Sequence, residues 1–130
     1  MCVVSRLISG IAVRMFKYLI SSFIFATAVA AEPPEIRAVQ AEPRGAAWQF
    51  SVTLSHPDTG WDHYADGWRV ELEDGTILGI RDLLHPHVNE QPFTRSLSGI
   101  VVPDGIVRVF VRARCNVDGW SPARFELSLS

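Results

Sequence analysis

The sequence predicts an all-β, antiparallel sandwich. Three observations carry this expectation. Between residues 36 and 129, apolar and polar residues alternate in short runs, and no window of a dozen residues repeats at the helical period. The runs are separated by turn residues, Pro43-Arg44-Gly45, Asp74-Gly75 and Pro103-Asp104-Gly105. Asp-Gly between two β runs is a hairpin signal. About seven short strands in roughly a hundred residues suit a sandwich.

The strands run in order along the chain. The first spans 36–41. The second spans 47–55 and places Trp48, Phe50, Val52 and Leu54 on one face. The third spans 67–73, with Trp68, Val70 and Leu72 on one face. Strands at 76–81 and 93–101 come next. The sixth, 106–115, carries the row Val107, Val109, Val111, Ala113 and Cys115. The last, 123–129, alternates Ala123, Phe125, Leu127 and Leu129 with polar residues. Trp68 and Trp48 are expected in the core.

Residues 1–31 read as a signal peptide. They hold Arg6, Arg14 and Lys17 and no acid, and an apolar run from Tyr18 ends in small residues at Ala31. Both Ala28-Val29-Ala30 and Val29-Ala30-Ala31 fit a peptidase that needs small side chains, and Glu32-Pro33-Pro34 comes directly after. The run is about 14 residues, whereas a spanning helix needs ~20. No Leu-x-Gly-Cys or Leu-x-Ala-Cys box precedes the cleavage point, which argues against a lipid anchor. Met15-Phe16-Lys17 offers an alternative start. The expected location is the periplasm or the extracellular space, with no membrane span in the mature chain.

Beyond the leader lies a single domain, 32–130, with nine arginines, no lysine and 14 acids, a net charge of −5 against −2 for the full chain. That charge argues against nucleic acid, which needs a basic footprint, and against anionic membranes. The length allows one core. Cys2 leaves with the leader, so Cys115 has no cysteine partner within the mature chain. Its place in an alternating row reads as a buried, inert thiol at a strand end. A disulfide to a partner and a metal-ligating thiolate are the sharper readings.

The segment Ser96-Leu97-Ser98-Gly99-Ile100-Val101-Val102-Pro103-Asp104-Gly105, then Val107-Arg108-Val109-Phe110-Val111-Arg112-Ala113, then Asp118-Gly119-Trp120-Ser121-Pro122 resembles part of a fibronectin type III domain. Ile106 and Val107 stand where that family places a tyrosine. The resemblance covers about a third of the mature chain and implies a seven-stranded immunoglobulin-like or fibronectin type III-like sandwich. The blocks Thr59-Gly60-Trp61-Asp62-His63-Tyr64-Ala65-Asp66-Gly67-Trp68, Leu83-Leu84-His85-Pro86-His87 and Glu90-Gln91-Pro92-Phe93-Thr94-Arg95-Ser96-Leu97 resemble small exported bacterial proteins of unassigned function.

Consecutive antiparallel strands reverse direction, so the connections 56–66, 82–92 and 116–122 are expected at one pole. All four histidines, His56, His63, His85 and His87, fall there, with Trp61, Tyr64, Trp120, Asp58, Asp62, Asp66, Asp82, Glu90 and Asp118. Binding residues favour loops held by a rigid scaffold. Trp61, Tyr64 and Trp120, with Asp62, Asp66 and Glu90 nearby, suit an extracytoplasmic protein or glycan. The plainer reading has these rings lidding the core.

The alternative is a metal site. His85-Pro86-His87 sets two imidazoles at i and i+2, and Pro86 biases His85 toward extended backbone. His63 supplies a third ligand and His56 a possible fourth, with Asp62 or Asp66 orienting an imidazole. Imidazole and carboxylate donors without a thiolate pair suit Cu(II) or Zn(II). In the plainer reading His85 and His87 cap a proline turn. Asp58, Asp62 and Asp66 do not match a calcium loop and read as turn caps. Arg108, Arg112 and Arg114, with Phe110, are expected on the outward face of 106–115, ion-paired to Glu71 and Glu73. No nucleophile-elbow motif appears, so the expectation is a non-enzymatic binding module. A structural accessory domain without a small ligand stays open as a third reading.

Overall fold

The computed structural model describes residues 32–129. The signal peptide, the alternative start at Met15 and Cys2 lie outside the described residues. Eight strands form: β1 (Glu35–Arg44), β2 (Ala47–Ser55), β3 (Ala65–Glu71), β4 (Ile77–Asp82), β5 (Phe93–Ile100), β6 (Arg108–Cys115), β7 (Gly119–Trp120) and β8 (Phe125–Ser128). They make two antiparallel sheets. One has the order β1-β2-β5; the other runs β4-β3-β6, with β7 and β8 both pairing to β6. The expected all-β sandwich is the observed one. No helix among the described residues is long and apolar enough to cross a membrane.

Eight strands replace seven because the connection expected at 116–122 itself contains a two-residue strand, β7, paired to β6. Pro122 has no N–H for the ladder, so Trp120 ends β7 opposite Arg114 and pairing resumes at Phe125 opposite Val111. The second strand lies where the alternation places it. The third is shifted toward the chain start, at Ala65–Glu71, which leaves Leu72 in the hairpin turn. Val107 departs from the expected buried row. It precedes β6 and is exposed, while Ile106 packs against the core in its place. Gly75 and Gly105 take φ of 91° and 86°, the left-handed backbone that their turns require.

Alternation fills the space between the sheets. Phe50, Val52 and Leu54 of β2 meet Trp68 and Val70 of β3 and Val109, Val111 and Ala113 of β6 in one cluster. Trp68 is fully buried, whereas Trp48 sits half-buried at the rim. Gly79 lets β4 approach β5: a Cβ there would lie 3.2 Å from Ile100 and 3.3 Å from Leu97.

The outer face of the larger sheet is built on charge. Glu71 is completely buried. It accepts hydrogen bonds from Arg69 (2.8 Å), Arg112 (2.9 Å) and Arg124 (3.2 Å). Burial alone would raise its pKa. The bonds from Arg112, Arg69 and Arg124, with the charge of Arg112, outweigh that and hold it below the usual 4.5. Arg108 pairs with Glu73, as expected, and Arg114 turns to Asp66 and Asp82. The guanidinium of Arg124 lies 4.1 Å from the Phe110 ring centroid. This layer predicts that Glu71→Ala, which strands three guanidinium groups, costs about 3 kcal/mol or more. Because the folded-state pKa is lowered, the Glu71 contribution is complete above pH 4.5 and lost as pH falls through the folded value. Urea titrations of both forms from pH 7 downward check this; the expected gap between them narrows below pH 4.5.

Candidate functional site

The connections β2–β3, β4–β5 and β6–β7 meet at one pole, as the strand count requires. Side chains from each stitch them together. Asp58 is buried in the β2–β3 loop. Its Oδ1 accepts from the Ala65 amide (3.0 Å) and the His56 ring (2.6 Å), and its Oδ2 accepts from the His87 amide (2.8 Å). Gln91 adds a second link. Its Oε1 accepts from the His56 amide, and its Nε2 donates to the His87 carbonyl. Asn116 ties in the β6–β7 loop. Its Oδ1 accepts from the Tyr64 amide (2.8 Å), and its Nδ2 donates to the carbonyls of Trp61 (3.1 Å) and Asp62 (3.3 Å). The turn-cap reading of Asp58 therefore holds. Gln91 and Asn116 carried no sequence signal beyond loop position.

Two histidines and the cysteine converge beneath this clasp. The ligand atoms of His56, His63 and Cys115 all lie within 4.8 Å of one another. His56 and His63 meet edge to face, with centroids 4.7 Å apart. Both ring nitrogens of His56 face oxygen atoms: Nδ1 lies 2.6 Å from Asp58 Oδ1 and Nε2 lies 3.0 Å from the Glu32 carbonyl. The ring is thus held at both nitrogens, by the buried Asp58 carboxylate on one side and a backbone carbonyl on the other. His63 differs. Its Nε2 is buried without a hydrogen-bond partner. Cys115 is a fully buried free thiol at the end of β6, and its Sγ accepts the Val117 amide hydrogen at 3.4 Å.

The expected trio of His63, His85 and His87 is not the set that converges. His87 stacks on Phe93 at 3.9 Å and 9° between planes. Its Nε2 accepts from Arg95 Nη2 at 2.9 Å. His85 is exposed, with its ring 4.5 Å from that of His87. Neither belongs to the group holding His63. The reason lies in the Asp58–His87 amide bond, which fixes the β4–β5 loop so that the His87 ring turns onto Phe93. Burial first, then Arg95 and His85, lower the His87 pKa below the usual 6.5, against weaker pulls from Glu90 and Asp58.

The aromatic and acidic candidates divide. Trp61 is 66% exposed, and its ring meets that of Tyr64 edge-on at 5.6 Å. Trp120 stands apart on β7, half-buried between the guanidinium groups of Arg69 (4.3 Å) and Arg114 (4.9 Å). Asp62 is exposed at the pole. Asp66 is bound to Arg114 at 2.8 Å and Glu90 to Arg95 at 3.2 Å. Each of the three loops also exposes apolar side chains, Trp61, Leu84, Val88 and Val117.

No protein-family model matches the chain. A protein of Halomicrobium mukohataei named "Putative lipoprotein" is 50% identical over 76 residues, 58% of this chain. The match spans only 37% of that relative's length. A crystal structure of a hypothetical protein from Pyrococcus horikoshii is similar in fold, with a TM-score of 0.50 and 15% identity. The similarity covers 81% of this chain and 93% of that one.

The loop clasp and the His87 stack each generate an expectation. Asn116→Ala removes four side-chain bonds, the long one from the Cys115 thiol among them, and should cost about 1–3 kcal/mol, with faster amide exchange at Tyr64 than in β2. The His87 ring should titrate below pH 6.5 by NMR. Its folded-state pKa is lowered, so its contribution to stability is complete above 6.5 and fades as pH falls through the folded value. A midpoint at or above 6.5 would contradict the stacked, Arg95-bound ring.

Proposed function

We propose that the chain is an exported, non-enzymatic binding domain that receives an extracytoplasmic protein at its three-loop pole. The observation that carries this reading is the exposure of apolar side chains from all three loops, Trp61, Leu84, Val88 and Val117, over a backbone held by Asp58, Gln91 and Asn116. Rigid, exposed aromatics are efficient anchors because little freedom is lost on binding. The exposed set is apolar, which suits a protein surface better than the hydroxyl-rich surface of a glycan. Trp120 drops out as an anchor, since its ring is already covered by two guanidinium groups. Export is supported by the leader pattern of residues 1–31 and by the name carried by the Halomicrobium relative.

A second reading, that the pole binds a copper or zinc ion, is favoured by the convergence of His56, His63 and Cys115.

The partner reading predicts that Trp61→Ala keeps the wild-type urea midpoint within about 0.5 kcal/mol and weakens capture of envelope or secreted proteins by tenfold or more, a hot-spot loss of ~2 kcal/mol. Ile80→Ala, on the exposed β4 strand, serves as the neutral control. Capture that is unchanged by Trp61→Ala would sink the partner surface. Retention on a polysaccharide that depends on Trp61 would move the partner from protein to glycan. Mass spectrometry of the exported chain should find a start at Ala31 or Glu32.

A further inference from the structure

We propose that His56, His63 and Cys115 form a mononuclear site for a thiolate-seeking, closed-shell metal ion, Zn(II) or Cu(I). The inference deepens the metal reading above and is independent of the protein partner. It assigns a ligand set that contains Cys115 and excludes His85 and His87.

Four observations support it. First, the donor set has the right chemistry. One thiolate and two imidazoles suit zinc and copper, and a buried thiolate disfavours the hard ions magnesium and calcium. Second, the scale is right. Three donor atoms within 4.8 Å of one another stand close to the roughly 3.3–3.8 Å separations implied by metal bonds of about 2.0 Å to nitrogen and 2.3 Å to sulfur. Closing the set needs the widest pair to draw in by about 1–1.5 Å. His63, on a loop and only partly buried, can supply it. Third, His63 Nε2 is a buried lone-pair or N–H site with nothing to bond. Such atoms are rare in folded proteins unless an ion or ordered water completes them. Fourth, the surroundings are those of a metal shell. Asp58 accepts the Nδ1–H of His56 at 2.6 Å, the carboxylate–histidine arrangement that fixes a ligating imidazole through its far nitrogen. The Val117 amide points at Cys115 Sγ, where it stabilises a thiolate.

His56 would then bind through an unprotonated Nε2, giving up its contact with the Glu32 carbonyl. Cys115 would lose its thiol proton. Asp58 would keep its bonds to the Ala65 and His87 amides and so stay in place. A fourth position is left for the displaced carbonyl or for water.

The test uses the full chain, made without a histidine tag and stripped by a chelator. Zn(II) is titrated by calorimetry, Cu(I) under anaerobic conditions against a competing chelator, and Co(II) by absorbance as a reporter of zinc. The expected result is one ion per chain with a dissociation constant in the micromolar range or tighter for Zn(II) or Cu(I). A sulfur-to-cobalt charge-transfer band should accompany it. Cys115→Ser should abolish the band, and His63→Gln should weaken binding tenfold or more. His85→Ala and Trp61→Ala should bind as the wild type does, the latter even where it loses the protein partner. Should Cys115→Ser fail to fold, the native thiol answers instead: Zn(II) or Cu(I) should slow its alkylation, and a chelator should restore the rate. Binding of both ions weaker than millimolar overturns the site. So does tight binding that ignores His63→Gln, or that leaves Cys115 alkylated at the metal-free rate.

Discussion

The pole depends on one buried carboxylate. Asp58 holds the His56 ring, the Ala65 amide that opens β3 and the His87 amide of the β4–β5 loop. A charged side chain with no solvent access is tolerable only when its oxygens are satisfied and its charge is matched. Here the His56 ring and the amides of Ala65 and His87 satisfy it. The rest of this end is arranged around that carboxylate. The His87 ring must turn away onto Phe93, His56 must lean toward His63, and the Trp61–Tyr64 pair is left on the outside. Asn116 completes the arrangement from the third loop. Loops held this way present their exposed side chains with little freedom still to lose.

Much of the sandwich was legible in the sequence because strands announce themselves locally. Phe50, Val52 and Leu54 alternate with polar residues, and Asp74-Gly75 forms the hairpin it signals. The errors were local too. The loop expected at 116–122 holds the short strand Gly119–Trp120, and Ile106 rather than Val107 faces inward. The pole could be placed by counting strand directions, but its interior could not be read. The convergence of His63 on Cys115 rather than His85 is decided by side-chain bonds between residues 29 to 52 positions apart, from Asp58 to His87 and from Asn116 to Tyr64. No spacing rule in a single sequence reports such bonds. Cys115 was readable as a buried thiol in an alternating row, and the histidines beside it were not.

The outer face of the larger sheet shows why the domain uses arginine where lysine is common. A planar guanidinium can hydrogen-bond Glu71 along its edge and lie on Phe110 or Trp120 with its face. An ammonium group cannot do both. Gly67 completes the fit: a Cβ there would stand 2.7 Å from Arg114, so the bare backbone lets that guanidinium cross β3 to Asp66. Acidic and basic side chains thus serve as a packed layer, covering a sheet face that has no second sheet upon it.

The interrupted strands at the margins carry a further meaning. Edge strands expose unpaired amides and carbonyls, on which another chain can build. On the larger sheet, the margin at β7 and β8 is cut in two at Pro122, so neither piece has more than four residues. On the smaller sheet, β1 is longer, but a bulge between Ile36 and Ala38 breaks its register and Pro43 removes a donor near its end. The margin at β4 stops after six residues at Asp82. The other margin of the smaller sheet, β5, runs eight residues, with its register irregularity near the end, between Leu97 and Ile100. A fold whose regular structure is all strand thus keeps most of its margins short or irregular, which limits where a second chain could build on them.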